Sequence, residues 1–431
     1  MSEQILIYNL FPRLAGAMST WKPHMERAKY MGFTWIYVNP LNYPGFSGSL
    51  YSIKDYYRIN PLFLDDSQKS EEQQVRDMLS VAHELGLKVM FDYVINHTAV
   101  DSVLIEPHSD WYLKKPDGSI KHPQVWEGDK LVTTWGDLAE IDNENSSDKE
   151  NLWLYWSELA NYYIDLGVDG FRCDAAYQVP VDLWHFLISR TKEYAYVKPE
   201  KRLFRFFAET LGCEIEDVIA LAQAGFDYNF NSSKYWDFVE PWCLKQYAEN
   251  ALVCRSVAFA ESHDTPRLAK ELNSNEAAIK MRYLFSVIFS TGVMMPLGME
   301  YGFQDRVNVV KSMPVDWEEP TLNLVEFIRK ANELKINYKL FREDSFIEPQ
   351  KVGNEKIFAF LKISKDKTKK ALVIINKDKR WHQPIAFNLP QILGCDLEQI
   401  RDISTEYALE NVPEILDYNL RPSQVMIFYN N

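Results

Sequence analysis

Cysteine is scarce in this chain of 431 residues, which contains five. They are Cys173, Cys213, Cys243, Cys254 and Cys395. Their number is odd and their spacing fits no metal site, so free thiols in a reducing compartment are the simplest interpretation. The first residues, MSEQILIYNLFPRL, also lack a basic segment followed by a long apolar run. We therefore expect neither a signal peptide nor a transmembrane segment, and we expect a cytoplasmic protein.

Positive charge is also in deficit. Lys and Arg number 47 against 61 Asp and Glu, which gives a formal net charge of −14. Contacts to phosphate groups need clustered Lys and Arg, so we expect no nucleic-acid partner. The one basic cluster, KISKDKTKK at residues 362–370, lies between two β-like runs and predicts a solvated hairpin loop. The sequence has no internal repeats and no low-complexity segments.

Aromatic residues, in contrast, are abundant at 14% of the chain. A large hydrophobic core would account for them. A sugar-binding cleft would account for them as well, because flat rings stack on the faces of pyranose sugars. Composition alone leaves both interpretations open.

Short β-branched or aromatic runs alternate with amphipathic stretches along most of the chain. The predicted strands are residues 5–10, 33–40, 87–94, 168–174, 203–210, 225–230, 255–262 and 292–296. Helical patterns, such as those of residues 70–85 and 151–166, lie between most of them. This alternation is typical of a parallel sheet, and eight such strands predict a (β/α)8 barrel.

Two segments depart from the alternation. Residues 98–147 are rich in Pro, Gly, Asp and Trp, follow the third predicted strand and have no clear period. Long irregular connections are uncommon unless they have a function, so we predict a small excursion domain that walls one side of a cleft. Residues 343–431 contain short strands separated by turn residues, which predicts an antiparallel β-sandwich module. The barrel itself would comprise residues 1–97 and 148–342.

The fourth predicted strand, in GFRCDAAY, keeps two charges in a buried setting. Arg172 and Asp174 are two residues apart, so on a strand they face the same side. They lie near the C-terminal end of that strand, where barrel enzymes have their active sites. Arg172 can orient Asp174 and keep it ionised, as a nucleophile requires. Taken alone, the pair is equally compatible with a structural ion pair.

Polar residues also lie at the C-terminal ends of three other predicted strands. Glu209 follows an apolar run in FFAET, a setting that raises the pKa of a carboxyl group and suits a proton donor. The segment FAESHD delivers His263 and Asp264, and FDYVINH delivers Asp92 and His97. A hydrophobic core would not need such groups at four strand ends. Two carboxyl groups in two environments are the arrangement of a glycosidase.

In chain order, DYVINH, GFRCDAAY, FFAET and AESHD resemble the four short motifs of the α-amylase family, glycoside hydrolase family 13. Three further segments resemble parts of the same family: LYSIKDYY at 50–57, WGDLAEIDNEN at 135–145 and KSMPVDW at 311–317. The resemblance covers about residues 1–340. Each motif is weak alone, but the four together are very specific.

The resemblance implies three catalytic carboxylates. Asp174 would be the nucleophile and Glu209 the acid/base. Asp264 would hold the distorted sugar in the transition state.

The resemblance also implies four substrate-binding residues: Tyr51, His97, Arg172 and His263. The tyrosine would stack beneath the sugar beside the cleaved bond, and the two histidines would hydrogen-bond sugar hydroxyls. The arginine would hold the nucleophile, supported by Asp92.

The chain departs from the family pattern at several positions. Calcium-dependent members use an Asn at the position of Asn96, an Asp near Glu140 and a His where this chain has Gln178. With that ligand missing we expect no metal and no cofactor. A Lys-His pair on the leaving-group side is replaced by Tyr177-Gln178, and an Asp typical of strict exo-acting members by Ser52. The last difference favours a site open to longer chains.

Three functions remain open at this point. The first is a retaining α-glycosidase that hydrolyses α-glucosidic bonds in maltooligosaccharides or α-glucans. The second is an α-glucan transglycosylase that uses the same covalent intermediate. The third is a non-catalytic sugar-binding barrel, which the presence of all three carboxylates argues against. The expected partner is an oligosaccharide or α-glucan, with no nucleic acid and no membrane.

Overall fold

Eight parallel strands close into a barrel, and each strand pairs with the barrel strands before and after it in the chain. The computed structural model describes residues 3–127, 130–199 and 201–431, with the side chains of 125–127 excepted. The barrel strands are Leu6–Leu10, Trp35–Val38, Lys88–Tyr93, Gly170–Cys173, Arg205–Glu209, Tyr228–Phe230, Arg255–Phe259 and Gly292–Pro296. Closure occurs where Leu6 lies opposite Val293. The predicted (β/α)8 barrel is confirmed.

Helices cover the outside of the barrel and follow the strands in turn. After the first strand come Pro12–Ala15 and Lys22–Tyr30, after the second Glu71–Glu84, and after the third Lys149–Leu166. The remaining barrel helices are Val181–Val197, Ile215–Ala224, Trp242–Asn250, Leu268–Glu271, Glu276–Phe289 and Val325–Asn337. Their inner faces and the outward side chains of the strands form one large hydrophobic core.

The inside of the barrel has a separate, smaller core. Its buried residues are Ile5, Ile7, Trp35, Tyr37, Met90, Phe207, Tyr228, Phe230, Val257, Phe259 and Met294. Residues two apart on a strand share a face. The inward position after Met90 is therefore Asp92, and the one after Phe207 is Glu209. The alternation that fills the barrel with apolar side chains thus delivers carboxyl groups to its C-terminal end.

Short hairpins build up the rim at that end. Asn42–Pro44 pairs with Ile53–Ile59 after the second barrel strand. Within the predicted excursion segment, His97–Ala99 pairs with Leu138–Glu140, and Gln124–Glu127 pairs with Lys130–Thr134. Residues 128 and 129 of that segment lie outside the described residues. These hairpins stand beside the third strand, where the sequence predicted a cleft wall.

The C-terminal module is antiparallel, as predicted. Phe346–Gln350, Ile357–Ile363, Lys370–Asn376, Val425–Asn430 and Ile400–Asp402 form one sheet in that order. Gln383–Asn388 and Ile415–Leu420 form a second sheet, and the helix Leu389–Leu393 lies between strands in sequence. One face of the larger sheet shares a core with the smaller sheet, and the opposite face joins the barrel core.

Buried charges connect the module to the barrel. Asp344 accepts hydrogen bonds from the backbone N–H of Thr291 at 2.8 Å and of Ser256. Lys362 donates to the carbonyl of Phe289 at 2.6 Å, and burial lowers its pKa to about 8. The sequence assigned Lys362 to an exposed loop, which is wrong, because it belongs to a strand that faces the barrel. The loop itself, residues 364–369, joins two strands as expected.

None of the helices in the described part of the chain is both long enough and apolar enough to cross a lipid bilayer.

Candidate active site

Arg172 lies at the centre of a cluster of carboxyl groups at the C-terminal end of the barrel. Its Nη1 lies 2.8 Å from Asp92 and 2.6 Å from Asp174, and its Nη2 lies 2.9 Å from Glu209. The arginine side chain is 5% exposed. One guanidinium therefore compensates three carboxyl groups that come from three adjacent strands. Because Nη1 and Nη2 are neighbouring atoms, it also places Asp174 and Glu209 close to each other.

The backbone after Asp174 turns sharply. Ala175 has φ 39° and ψ 48°, a left-handed conformation that side-chain-bearing residues rarely adopt. In this conformation its N–H donates to Glu209 Oε2 at 2.8 Å. The same oxygen forms an ion pair with Arg172, so the ion pair and the hydrogen bond of Glu209 converge on one atom. The other carboxyl oxygen, Oε1, takes no part in these two contacts.

Glu209 has the electrostatics of a proton donor. Burial raises its pKa to about 7, and the negative charges of Asp174 and Asp264 act in the same direction. Arg172 and the N–H of Ala175 oppose the shift without cancelling it. The sequence predicted a raised pKa from an apolar setting alone. The structure adds two like charges to that cause.

A second part of the network holds Tyr51. Asp92 Oδ2 accepts hydrogen bonds from the hydroxyls of Tyr37 at 2.6 Å and Tyr51 at 2.7 Å. Asn39 Nδ2 donates to Tyr51 at 3.0 Å, and Asn9 Nδ2 donates to Asn39 Oδ1 at 2.9 Å. Asp92 thus supports both Arg172 and Tyr51. The orientation of Tyr51 is fixed from beneath by fully buried side chains.

Sequence reasoning missed Asn9, Tyr37 and Asn39. A usable signal was present, because each asparagine lies within one residue of the end of an apolar strand, in YNL and YVNP. An amide at the end of a buried strand needs a polar partner. Tyr37 gave no signal that separates it from the many core aromatics.

The two predicted histidines both contact Tyr51, His263 at its hydroxyl and His97 at its backbone carbonyl. His263 Nε2 lies 2.7 Å from the hydroxyl of Tyr51 and 2.8 Å from Asp264 Oδ2. The rings of His263 and Tyr51 are nearly parallel, with an interplanar angle of 6°. His97 Nε2 lies 3.1 Å from the carbonyl of Tyr51, and burial lowers the pKa of His97. A neutral His97 keeps its other ring nitrogen available as a hydrogen-bonding group.

Asp264 differs from the other two predicted carboxylates because it is more open to solvent. Its side chain is 46% exposed. Partial burial acts to raise the pKa of Asp264, but contact with His263 and the fields of Arg172 and Arg306 hold it below its ordinary range. Asp264 is therefore ionised at neutral pH. All seven predicted site residues lie in one hydrogen-bonded cluster or contact it.

The bottom of the cleft is mixed in character. Its apolar lining comes from Leu211, Phe230, Phe259 and Met294. Its polar lining comes from Tyr37, Arg172, Glu209, Ser262, His263 and Asp264. This arrangement offers a negatively charged group, a protonated carboxyl group and several hydroxyl-binding groups around one small space.

The residues at the position that resembles the family's calcium site offer few free oxygen atoms among the described residues. Lys121 Nζ lies 3.1 Å from Glu140 Oε2 and 3.2 Å from Oε1, so a lysine ammonium already compensates the charge of this carboxylate. Asn96 Nδ2 donates to Gln178 Oε1 at 3.2 Å, which leaves Asn96 Oδ1 as one unpartnered oxygen among the described residues. Calcium prefers six to eight oxygen ligands.

Comparison with known proteins finds relatives whose names describe α-glucan enzymes. A family model described as the glucanotransferase domain of glycogen debranching enzyme matches residues 1–114. The α-1,4-glucan:maltose-1-phosphate maltosyltransferase of Burkholderia pseudomallei is 24% identical over 302 residues, which cover 69% of this chain and 25% of that protein. The maltogenic α-amylase of Bacillus acidopullulyticus is 23% identical over 397 residues, covering 85% of this chain and 63% of that protein. The chain thus spans less than two thirds of the length of these relatives.

A solved structure matches over nearly the whole length of both chains. The α-amylase from Lactobacillus plantarum superposes with a TM-score of 0.77 at 22% identity, covering 99% of each chain. The match extends through the barrel and the C-terminal module. It shows that the chain has the fold of an α-amylase, and together with the four strand-end motifs and the sequence relatives it supports the resemblance to the α-amylase family, glycoside hydrolase family 13.

Proposed function

We propose that the protein is a retaining α-glycosidase that hydrolyses α-glucosidic bonds in maltooligosaccharides or α-glucans. The observation that carries this proposal is the contact of one guanidinium, that of Arg172, with both Asp174 and Glu209. Retaining enzymes need two carboxyl groups roughly 5–5.5 Å apart, close enough for one of them to act as nucleophile. A shared arginine supports that spacing.

The first half of the reaction uses the two carboxyl groups in opposite protonation states. Asp174 attacks the anomeric carbon of the bound sugar, and the glycosidic C–O bond breaks as the new C–O bond forms. Glu209, protonated because of its raised pKa, transfers its proton to the departing oxygen. The product of this step is a glycosyl ester on Asp174, with the configuration inverted.

The second half reverses these roles. Glu209, now ionised, takes a proton from a water molecule, and the water oxygen attacks the anomeric carbon. The ester bond to Asp174 breaks, and the centre inverts a second time. Two inversions give a product that retains the α configuration.

The surrounding residues hold the sugar in place. Asp264, ionised and accessible, accepts hydrogen bonds from two hydroxyls of the distorted ring. His97 and His263 bind further hydroxyls, and Tyr51 provides a stacking face beneath the sugar. The hydrogen bonds that Asp92 and Asn39 make to Tyr51 reduce its freedom, which supports a preorganised site. Catalysis by this set needs no metal, in line with the Lys121–Glu140 ion pair.

Transfer to a sugar acceptor is the second candidate, favoured by the similarity to a maltosyltransferase. It shares the first half-reaction, and an acceptor hydroxyl then replaces water. Product analysis on maltose to maltoheptaose, starch, pullulan, sucrose, trehalose and maltose 1-phosphate separates the two. Hydrolysis gives only shorter sugars and reducing ends, whereas transfer also gives products longer than the donor.

The stereochemistry tests the mechanism itself. Proton NMR of the freshly released sugar, read before mutarotation, should show the α anomer first. Initial appearance of the β anomer would mean a single displacement by water, and Asp174 would then not be a nucleophile. The Asp174→Ala variant is the matched control, because it should release no sugar of either configuration.

A further inference from the structure

The turn after the seventh barrel strand is closed by a buried ion pair. Glu261 lies just beyond the strand Arg255–Phe259, and Arg267 follows six residues later. Arg267 Nη1 lies 2.9 Å from Glu261 Oε1, and the two side chains are 2% and 1% exposed. The other carboxyl oxygen of Glu261 accepts a hydrogen bond from the N–H of Leu268. Asp264 lies between the two partners in the chain. We call Glu261 and Arg267 the turn clamp.

Hydrogen bonds inside the turn restrict the backbone at Asp264. The N–H of Ser262 donates to Thr265 Oγ1 at 2.9 Å, and the N–H of Asp264 donates to Ser262 Oγ at 3.2 Å. The N–H of Thr265 donates back to the carbonyl of Ser262 at 3.3 Å. These bonds fix the shape of the turn, and the turn clamp holds its two ends together. The direction in which the Asp264 side chain leaves the backbone therefore depends on both.

The side chain of Asp264 has little else to orient it. Its Oδ2 lies 2.8 Å from His263 Nε2, which is the one ion pair of Asp264 in the part of the chain that the structure describes. Nearly half of the side chain is exposed to solvent. A carboxylate in this setting takes its position from the backbone that carries it. A small displacement of the turn would therefore move Asp264 relative to a bound sugar.

Arg267 also connects the turn to the loop after the eighth strand. Its Nη1 donates to the carbonyl of Leu297 at 2.8 Å, and its Nε donates to the carbonyl of Asp305 at 3.2 Å. The next residue is Arg306. Burial acts to raise the pKa of Asp264, and the charge of Arg306 is among those that hold it below its ordinary range. One guanidinium thus holds both the turn that carries Asp264 and the loop that carries Arg306.

Stability alone is a weak explanation for the turn clamp. Removing two charges from water costs free energy, and a buried ion pair is often no more stable than well-packed apolar side chains. Arg267 Nη2 is also buried without a hydrogen-bond partner within the described ranges, which adds to that cost. Burial raises the pKa of Glu261, although the charge of Arg267 opposes the shift. A pair kept at such a cost indicates a role in fixing geometry.

We propose that Glu261 and Arg267 are positioning residues, which hold Asp264 where it meets the hydroxyls of the distorted sugar ring. The inference rests on the proposed function, because it takes Asp264 as the group that holds the ring in the transition state. An interaction made mainly in the transition state changes kcat more than KM. Loss of the turn clamp should therefore slow turnover and leave the binding of substrate almost unchanged.

The variant Glu261→Gln/Arg267→Met, called clamp-free below, removes both charges at once. It leaves neither partner charged and unpaired, so it should fold with an unchanged or higher Tm. With maltoheptaose we expect kcat to fall roughly tenfold to a hundredfold, as for a displacement of about 1 Å, and KM to change less than about threefold. Glu3→Gln/Arg205→Met is the matched control, because that ion pair, at 2.8 Å, lies at the opposite end of the barrel. Its kcat should equal that of the parent.

A double-mutant cycle separates positioning from a general structural role. Asp264→Asn provides the second background, and α-maltosyl fluoride, which has a reactive leaving group, keeps its residual turnover measurable. If the turn clamp acts through Asp264, the clamp-free changes should lower kcat less than about twofold in this background. An equal loss with and without Asp264, a change in KM alone, or a normal kcat in the clamp-free variant would overturn the inference. Failure of that variant to fold would overturn it as well, because the pair would then be structural.

Binding of the cationic iminosugar 1-deoxynojirimycin, measured by isothermal titration calorimetry, tests the inference without turnover. Asp264→Asn and the clamp-free variant should each raise its Kd by about fivefold or more, roughly the effect of one partly exposed ion pair. If the unmutated enzyme cleaved no α-glucan and both losses still appeared, only the proposed function would be refuted. If Asp264→Asn weakened binding and the clamp-free variant did not, only the positioning role of Glu261 and Arg267 would be refuted.

Discussion

Replacing Glu209 by Gln should stabilise the protein at neutral pH while it abolishes turnover. The unfolded carboxyl group titrates near 4.5 and the folded one near 7. Between these values the folded state holds a proton that the unfolded state has lost, so the stability of the native enzyme falls as pH rises through this window. Glutamine mimics the permanently protonated form. The Glu209→Gln variant therefore does not lose stability as the pH rises through this window.

The magnitude follows from the shift. A difference of about 2.5 pKa units corresponds to about 3 kcal/mol at 1.36 kcal/mol per unit. The advantage of Glu209→Gln in unfolding free energy should therefore grow from about 1 kcal/mol at pH 5 to about 3 kcal/mol at pH 8. For a chain of this length that is a rise in Tm of about 4 °C at pH 8. The amide oxygen can keep both contacts that converge on Oε2, with Arg172 and with the N–H of Ala175.

The assay is a comparison of thermal and urea unfolding at intervals from pH 5 to 8. Glu410→Gln, at an exposed surface position, is the control and should show no pH-dependent gain. A Glu209→Gln variant that is equally or less stable than the parent at pH 8 would refute the reasoning. Ionisation of Glu209 would then carry no free-energy cost in the folded state. The same raised pKa predicts that kcat/KM of the native enzyme falls as pH rises through about 7.

Three further expectations follow from the structure. Asp174→Ala should lower kcat by roughly four or more orders of magnitude with an unchanged circular dichroism spectrum, and near-normal turnover would remove Asp174 from the mechanism. Exhaustive chelation should change neither activity nor Tm, and a loss that calcium restores would make Asn96 and Glu140 metal ligands. Lys121→Met should lower the free energy of unfolding by at most about 1 kcal/mol. Truncation after residue 340 should give aggregated protein, because the barrel loses its apolar contact with the C-terminal module and the hydrogen bonds of Asp344. A soluble and fully active fragment would contradict this expectation.

Much of the fold was readable from the sequence because each barrel strand is a short apolar run between polar turns. The same regularity exposed the site, since Asp174, Glu209 and Asp264 stand out where apolar runs end. The contacts between side chains at the rim of the barrel could not be predicted from the sequence. That Arg172 contacts Glu209 as well as Asp174 depends on the register of adjacent strands and on a left-handed residue between them.

Long-range partners in loops were also beyond sequence reasoning. Lys121 contacts Glu140, 19 residues further along the chain, and no local sequence pattern predicts this contact. Lys362 looked like one more surface lysine in a basic run, and only the docking of the module on the barrel buries it. In each case local pattern fixes the backbone of a segment, whereas the partner of a long side chain is set by tertiary packing.

Closure of the barrel between its first and last strands affects how the protein is made. Leu6 pairs with Val293, so during synthesis the first strand has one unpaired edge until the eighth strand has left the ribosome. At 5–20 residues per second that wait is roughly 15–60 s. An apolar strand edge exposed for so long invites pairing with neighbouring chains. Yield in a cell should therefore depend on translation rate and on chaperones that shield the nascent edge, even where the finished enzyme is stable.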